Sequence, residues 1–152
     1  FKDIYNLKEK LKNDYKTISK EVKELNEILN EEIANTAKLI KNVYKSTDDE
    51  FKDFFKTGKV IDVFGASLRN ELMEVDYLIK GLSKYNNLSF SKEQITVLTK
   101  KRNTLEEKIN AMEDVEKKED ETTNSLKIAE TEWNHLYKKI KSFLKSESKN
   151  NS

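Results

Sequence analysis

Apolar residues recur along the first part of the chain about every 3.6 residues, which is the repeat of a straight α-helix. No proline or glycine interrupts this pattern. It predicts one helix of about 40 residues, whose apolar stripe must be covered by other helices. The members of the stripe are Ile4, Leu7, Leu11, Tyr15, Ile18, Val22, Leu25, Leu29, Ile33, Ala37, Ile40 and Tyr44.

A short helix rich in phenylalanine is predicted next. Thr47 and Glu50 have the spacing of a capping box. Three phenylalanines follow between positions 51 and 55, and Gly58 is suited to a C-terminal stop. We interpret residues 47–58 as a lid with its phenylalanines turned inward.

A second apolar ladder runs from Ile61 to about Tyr85 and indicates another long helix. Gly65 and Gly81 lie inside it, and each costs about 1 kcal/mol relative to alanine in a helix. The usual reason for such a glycine is the close approach of a neighbouring helix. We therefore expect a close contact at both positions.

Two more helices are predicted in the remainder of the chain. Ser91 and Gln94 form a capping-box pair at the start of the first, which runs to about Val115. The polar stretch 117–124, with the sequence KKEDETTN, predicts a loop. Residues 126–143 then carry the apolar spacing of a last helix.

These elements predict an all-α fold: an antiparallel bundle of four long helices plus one short helix, with the first helix the longest. Short connections make neighbouring helices antiparallel. We assign residues 1–146 to a single helical-bundle domain. Residues 147–152 are predicted to be a disordered C-terminal tail, because they contain no apolar residue.

Composition supports long helices and excludes several function classes. The chain has no proline and only three glycines, so it lacks the residues that tight β-turns need. The formal net charge is +1, and Arg69 and Arg102 are the only arginines, which argues against nucleic-acid binding. The absence of cysteine excludes disulfides and thiolate chemistry. No apolar run approaches the roughly 18 residues of a membrane span.

One stretch has the spacing of a metal motif. Glu132 and His135 form a Glu-x-x-His pair, which carboxylate-bridged di-iron bundles use twice. His135 is the only histidine, so the chain cannot supply the second pair. Trp133 lies on the apolar ladder, and we interpret it as a packing anchor of the core, with His135 towards the surface. We therefore expect no metal, no cofactor and no enzymatic activity.

Partner-binding residues are predicted at helix ends and loops. Arginine and tyrosine are favoured at binding hot spots. The last helix also ends in a lysine-rich segment, and the simplest explanation of that segment is the favourable interaction of lysines with the helix dipole. Two of these candidates have a structural alternative to partner binding. Arg69 could form a plain surface salt bridge, and the 85–90 turn could be a hydrophobic staple. The candidate residues are Arg69, Tyr85 and Asn87, together with Lys117, Lys118, Glu119, Asp120 and Glu121 in the polar stretch.

Residue usage over the whole chain resembles that of a known class of proteins. Lysine far outnumbers arginine, asparagine is frequent, and segments such as FKDIYNLKEKLKNDYKTISKEVKELNEILNEEI are typical of it. The chain resembles the helical ectodomains of Borrelia-type outer-surface lipoproteins. The resemblance implies a bundle tethered to the outer membrane through a lipidated cysteine upstream of Phe1. It also implies binding of a host serum protein, such as the complement regulator factor H, plasminogen or fibronectin.

We therefore expect a non-enzymatic, surface-displayed binding module that recruits a host protein, most simply a complement regulator such as factor H, and so serves immune evasion and virulence. We expect a monomer rather than a dimer. The alternative is an intracellular coiled-coil-like structural or assembly module that self-associates through its first helix.

Overall fold

A computed structural model describes residues 2–150 of the chain, with the side chain of residue 150 outside that description. The described residues are all-helical, with about 84% of residues in helices and no strand in that range. The elements in chain order are α1 (Lys2–Lys41), a 3₁₀ helix (Asp49–Asp53), α2 (Ile61–Phe64), α3 (Leu68–Lys84) and α4 (Ser91–Asn150).

The long first helix is confirmed, but the prediction of four long helices with the first one longest was wrong. The two helices predicted after Ser91 are one continuous helix of 60 residues, whereas α1 has 40. The stretch 117–124 is helical because lysine and glutamate favour helices and no glycine or proline lies between 91 and 150. The helix also includes residues 147–150, where the sequence predicted a tail, while residues 151 and 152 lie outside the described range.

The ladder from Ile61 to Tyr85 is divided where the sequence predicted a single helix. It forms the four-residue α2 and then α3, which begins at its N-cap Ser67, whose Oγ accepts a hydrogen bond from the backbone N–H of Asn70. The 3₁₀ helix replaces the predicted lid helix. Phe51 in the 3₁₀ helix and Phe54 and Phe55 just after it are all buried, so their predicted inward orientation is confirmed.

The chain divides into two compact units, and the single domain predicted for residues 1–146 stays a prediction. Ile18–Met112 form one, here called the bundle unit, and Phe1–Thr17 with Glu113–Ser152 form the other, here called the two-helix unit. Helices α1 and α4 each contribute to both units.

The bundle unit is organised by ion pairs and hydrogen bonds between its helices. Along α1, Glu21 and then Glu32 contact Lys108 and then Lys101 of α4, so the two helices run in opposite directions. Helix α3 is likewise opposed to α4, since Arg69 and Asp76 contact Asn110 and Arg102. The fully buried core residues inside this frame include Val22, Leu29, Ile33, Ile40, Phe51, Phe54, Phe55, Leu72, Val75, Leu78, Leu82, Leu98, Leu105 and Ile109.

The 3₁₀ helix packs directly on α3 at Gly81. A Cβ at that position would overlap the backbone carbonyl oxygen of Asp53 and lie 2.9 Å from the Phe54 ring. The predicted close approach is thus confirmed at Gly81. At Gly65 it was wrong, because no described atom outside the immediate neighbours lies within 4 Å of where its Cβ would be.

The two-helix unit pairs the start of α1 with the second half of α4. The Tyr5 hydroxyl donates a 2.7 Å hydrogen bond to Oε1 of Glu130. Leu11 on α1 and Thr122 and Leu126 on α4 are the buried side chains of this unit. The two helices thus contact each other at Tyr5 and Glu130.

Candidate functional site

A large apolar surface is exposed on the last part of α4. Six apolar side chains there are between 50% and 63% exposed. Their spacing of one, three and four residues places them on one side of the helix, within an arc of about 120°. We call this surface the Trp133 face, and it consists of Trp133, Leu136, Tyr137, Ile140, Phe143 and Leu144.

The Trp133 face continues a contact that is made inside the protein. Leu126 and Trp133 are seven residues apart, two turns of helix, and so lie on the same side of α4. Leu126 is buried in the two-helix unit, whereas Trp133 is exposed. The first turn of α1 contacts Glu130 through the Tyr5 hydroxyl, three residues before Trp133.

The interpretation of Trp133 as a core anchor was therefore wrong. Its indole is more than half exposed and stacks on the Tyr137 ring one turn later, with ring centroids 5.4 Å apart and planes 6° from parallel. The periodicity correctly places Trp133 on an apolar face. Periodicity alone does not say which element covers that face. His135, two residues further on, is exposed as predicted.

Lysines flank the Trp133 face and occupy the opposite side of the same helix. Between residues 137 and 149 the helix carries five lysines and a single acid, Glu147. On a helical projection most of these lysines lie opposite the apolar arc, while Lys139 and Lys141 flank it on either side. Within the described range, no carboxylate forms an ion pair with Lys138, Lys139, Lys141 or Lys145. The surface thus combines apolar area with unneutralised positive charge.

The predicted partner residues Arg69 and Tyr85 make internal contacts in the bundle unit. Arg69 lies in α3, and its guanidinium donates a 2.7 Å hydrogen bond to Oδ1 of Asn110 on α4. The half-buried Tyr85 follows the end of α3, where its hydroxyl donates a 2.6 Å hydrogen bond to Oδ2 of Asp53. Both side chains therefore hold helices of the bundle unit together. Asn87 is exposed in the connection between α3 and α4.

The Asp53–Tyr85 hydrogen bond shifts the pKa values of both groups. It raises the pKa of Tyr85 to about 12, because ionising the phenol would break the bond beside a negative charge. The same bond, with a further contribution from Lys84, holds the pKa of Asp53 below its usual value. The Tyr85 ring also packs against the rings of Tyr44 and Phe54. Tyr85 is thus a structural cross-link from α3 to the 3₁₀ helix.

The remaining predicted residues lie in a helix instead of a loop. Lys117, Lys118, Glu119, Asp120 and Glu121 are within α4, in the two-helix unit, and Lys118 forms a 3.1 Å ion pair with Asp114 one turn earlier. All except Glu119 are exposed. They belong to a different unit from Arg69, Tyr85 and Asn87.

Comparison of the chain with known family models, curated proteins and solved structures finds no match.

Among residues 2–150, no three or more histidine, cysteine, aspartate or glutamate side chains come close enough to hold a metal ion. Within the same range, no helix is long and apolar enough to cross a membrane.

One buried acid lies in the bundle unit. Glu71 on α3 is 1% exposed, and burial raises its pKa to about 7. Its Oε1 atom has no hydrogen-bond partner among the described atoms.

Proposed function

We propose that the protein is a non-enzymatic binding module, lipid-anchored on the outer surface of a bacterium, that recruits a host serum protein and so serves immune evasion. A complement regulator such as factor H is the leading candidate, and plasminogen and fibronectin are the others. The resemblance in residue usage supports the location and the partner class. The antiparallel helical bundle is the scaffold in this proposal, and the Trp133 face on α4 is the contact surface.

The exposure of the Trp133 face is the observation that supports a binding role most strongly. Soluble proteins rarely leave contiguous large apolar patches open to water unless the patch binds something. Tryptophan and tyrosine are also the side chains most often found at the centres of binding hot spots. A stacked Trp133–Tyr137 pair on a regular helix is pre-organised, so little side-chain entropy is lost when a partner covers it.

The charges around the face favour an acidic partner over a second copy of the chain. Two copies meeting through this surface would bring the flanking Lys139 and Lys141 of both copies into the same interface. Like charges across an interface cost binding energy, whereas an acidic partner would be attracted and steered to the site. This supports a monomer that binds a different protein.

The alternative function, assembly through the first helix, has less support. Self-association along the α1 stripe would require that stripe to be open. From Val22 to Ile40 it is covered inside the bundle unit, where Leu29, Ile33 and Ile40 are fully buried. A dimer through α1 would therefore have to unpack the core.

The proposal is tested by removing the large side chains of the face. We expect a variant with Trp133, Tyr137 and Phe143 replaced by alanine to bind its serum partner at least 100-fold more weakly, since each hot-spot truncation typically costs 1–2 kcal/mol or more. Immobilised wild-type and variant proteins would be exposed to serum, and then to purified factor H, plasminogen and fibronectin. Circular dichroism should show unchanged helicity, because the three side chains pack on no buried core.

The matched control replaces Ile128 with alanine. Ile128 is as exposed as the residues of the face but lies on a different side of the same helix. It should bind like the wild type. The proposal fails if serum contains no protein that the wild type retains, or if the triple variant retains the same protein equally well. It also fails if the face binds only anionic lipid vesicles.

A further inference from the structure

A concave surface lies in the bundle unit. It is a cleft of about 490 Å³ between the end of α1, the 3₁₀ helix and α2. This volume falls in the range of about 300–1,000 Å³ found for small-ligand sites. Its apolar lining comes from Ala34 and Ala37 of α1, Phe51 of the 3₁₀ helix, and Val60, Ile61 and Phe64 in and beside α2.

Helix α2 forms an apolar wall that is open to solvent. Val63 is buried and anchors this four-residue helix to the core, whereas Ile61 is 72% exposed and Phe64 is also exposed. Both line the cleft. Two large apolar side chains are therefore presented to the opening without a covering element in the described chain.

The charged side chains of the cleft are all positive. They are Lys38 and Lys41, in the last turn of α1, and Lys59, just before α2. None of the three forms an ion pair with a described residue, and no carboxylate lines the cleft. The helix dipole places about half a negative charge at the end of α1. The three positive charges of the lysines exceed it. The rim is therefore net positive.

We propose that this cleft binds a single-chain amphiphile with an anionic head group, of which a fatty-acid carboxylate is the simplest. The alkyl chain would lie over the exposed Ile61 and Phe64, and the head group would contact the lysines. A nucleotide or sugar fits less well, because Ser46 is the one neutral hydrogen-bonding side chain in the lining and most polar groups of such a ligand would be left unpaired. The proposal is independent of the Trp133 face.

The test is a titration of the full chain, followed by ¹H–¹⁵N NMR, with dodecanoate below its micelle-forming concentration. We expect the amide signals of residues around Lys41 and Val60 to shift, and those of the Trp133 face to stay unchanged. Dodecyltrimethylammonium, with the same chain and the opposite charge, should bind at least 10-fold more weakly. Within a series from octanoate to dodecanoate, affinity should rise by about twofold to fourfold per methylene, as expected for partial to full burial of each group.

A charge-removal variant separates the cleft from general surface binding. Replacing Lys38, Lys41 and Lys59 together with glutamine should weaken dodecanoate binding about 10-fold, because each exposed charge pair contributes modestly. The matched control replaces three exposed lysines of the same unit, Lys20, Lys23 and Lys92, with glutamine. These lysines do not line the cleft, so this variant should bind dodecanoate as the wild type does. Three results would each overturn the proposal: no shifts at the cleft, equal binding of the cationic amphiphile, or equal loss in both variants.

Discussion

The Gly81→Ala variant should unfold at a markedly lower temperature than the wild type, with its free energy of unfolding reduced by about 2 kcal/mol. The added Cβ would meet the Asp53 carbonyl oxygen, which belongs to the backbone and cannot rotate away. Alanine is more favourable than glycine in a helix by about 1 kcal/mol. The expected reduction in the free energy of unfolding is the cost of the steric clash after this gain is subtracted.

The 3₁₀ helix has little freedom to retreat from a larger residue at position 81. The Tyr77 hydroxyl donates to the Lys52 carbonyl oxygen at 2.7 Å, and Tyr85 and Lys84 both donate to Asp53. Moving the segment outward would stretch these bonds and uncover Phe54, which is buried. The 3₁₀ helix therefore stays close to α3, and most of the steric clash with the added Cβ remains.

Gly65→Ala is the matched control, followed by thermal and urea unfolding with circular dichroism. Gly65 has φ −85°, which any residue adopts, and open space around its missing Cβ within the described structure. This variant should be as stable as the wild type or more stable by up to about 1 kcal/mol. If Gly81→Ala proved as stable as Gly65→Ala, the close packing of the 3₁₀ helix on α3 would be wrong.

Glu71 should make the protein less stable as pH rises from about 4.5 to about 7. Burial raises its pKa from 4.5 to about 7 in the folded state, so the folded protein holds this proton more tightly than the unfolded chain does. The stabilising contribution of protonated Glu71 is therefore fully present below the pKa that Glu71 has in the unfolded chain. It is lost as pH rises through the pKa that Glu71 has in the folded protein. The shift corresponds to a difference on the order of 3 kcal/mol between low and neutral pH.

Replacing Glu71 with glutamine should remove most of this pH dependence and stabilise the protein at pH 8, because glutamine has no charge to bury. Urea unfolding of both proteins at pH 4.5, 6 and 8 measures the effect. Glu107→Gln, at an exposed glutamate of α4, is the control and should keep the wild-type pH profile. Parallel profiles for the wild type and Glu71→Gln would contradict the prediction.

Periodicity predicted the buried side of the helices well. The stripe through Leu29, Ile33 and Ile40 is the core face of α1, since a repeat of 3.6 residues specifies which side chains share a side. The inward phenylalanines at 51, 54 and 55 were likewise predictable, because a short segment with so much apolar area must bury it.

Periodicity could not predict helix continuity or what covers each face. Residues 117–124 lack apolar residues and so resembled a loop, although four of the eight are the good helix formers lysine and glutamate and none is glycine or proline. Trp133 has the same spacing signal as Leu126, yet one is exposed and the other buried, because the spacing does not record which element packs against each residue. Likewise, the cleft beside α2 depends on three segments meeting in space, which no local pattern records.

The exposed indole on α4 has a practical consequence. Trp133 is the sole tryptophan of the chain, so the intrinsic emission excited near 295 nm comes from this one position. A ligand that covers the indole would move its emission to shorter wavelength, while an amphiphile in the cleft would leave the spectrum as it was. The fluorescence of Trp133 should therefore report binding at the Trp133 face but not binding in the cleft beside α2.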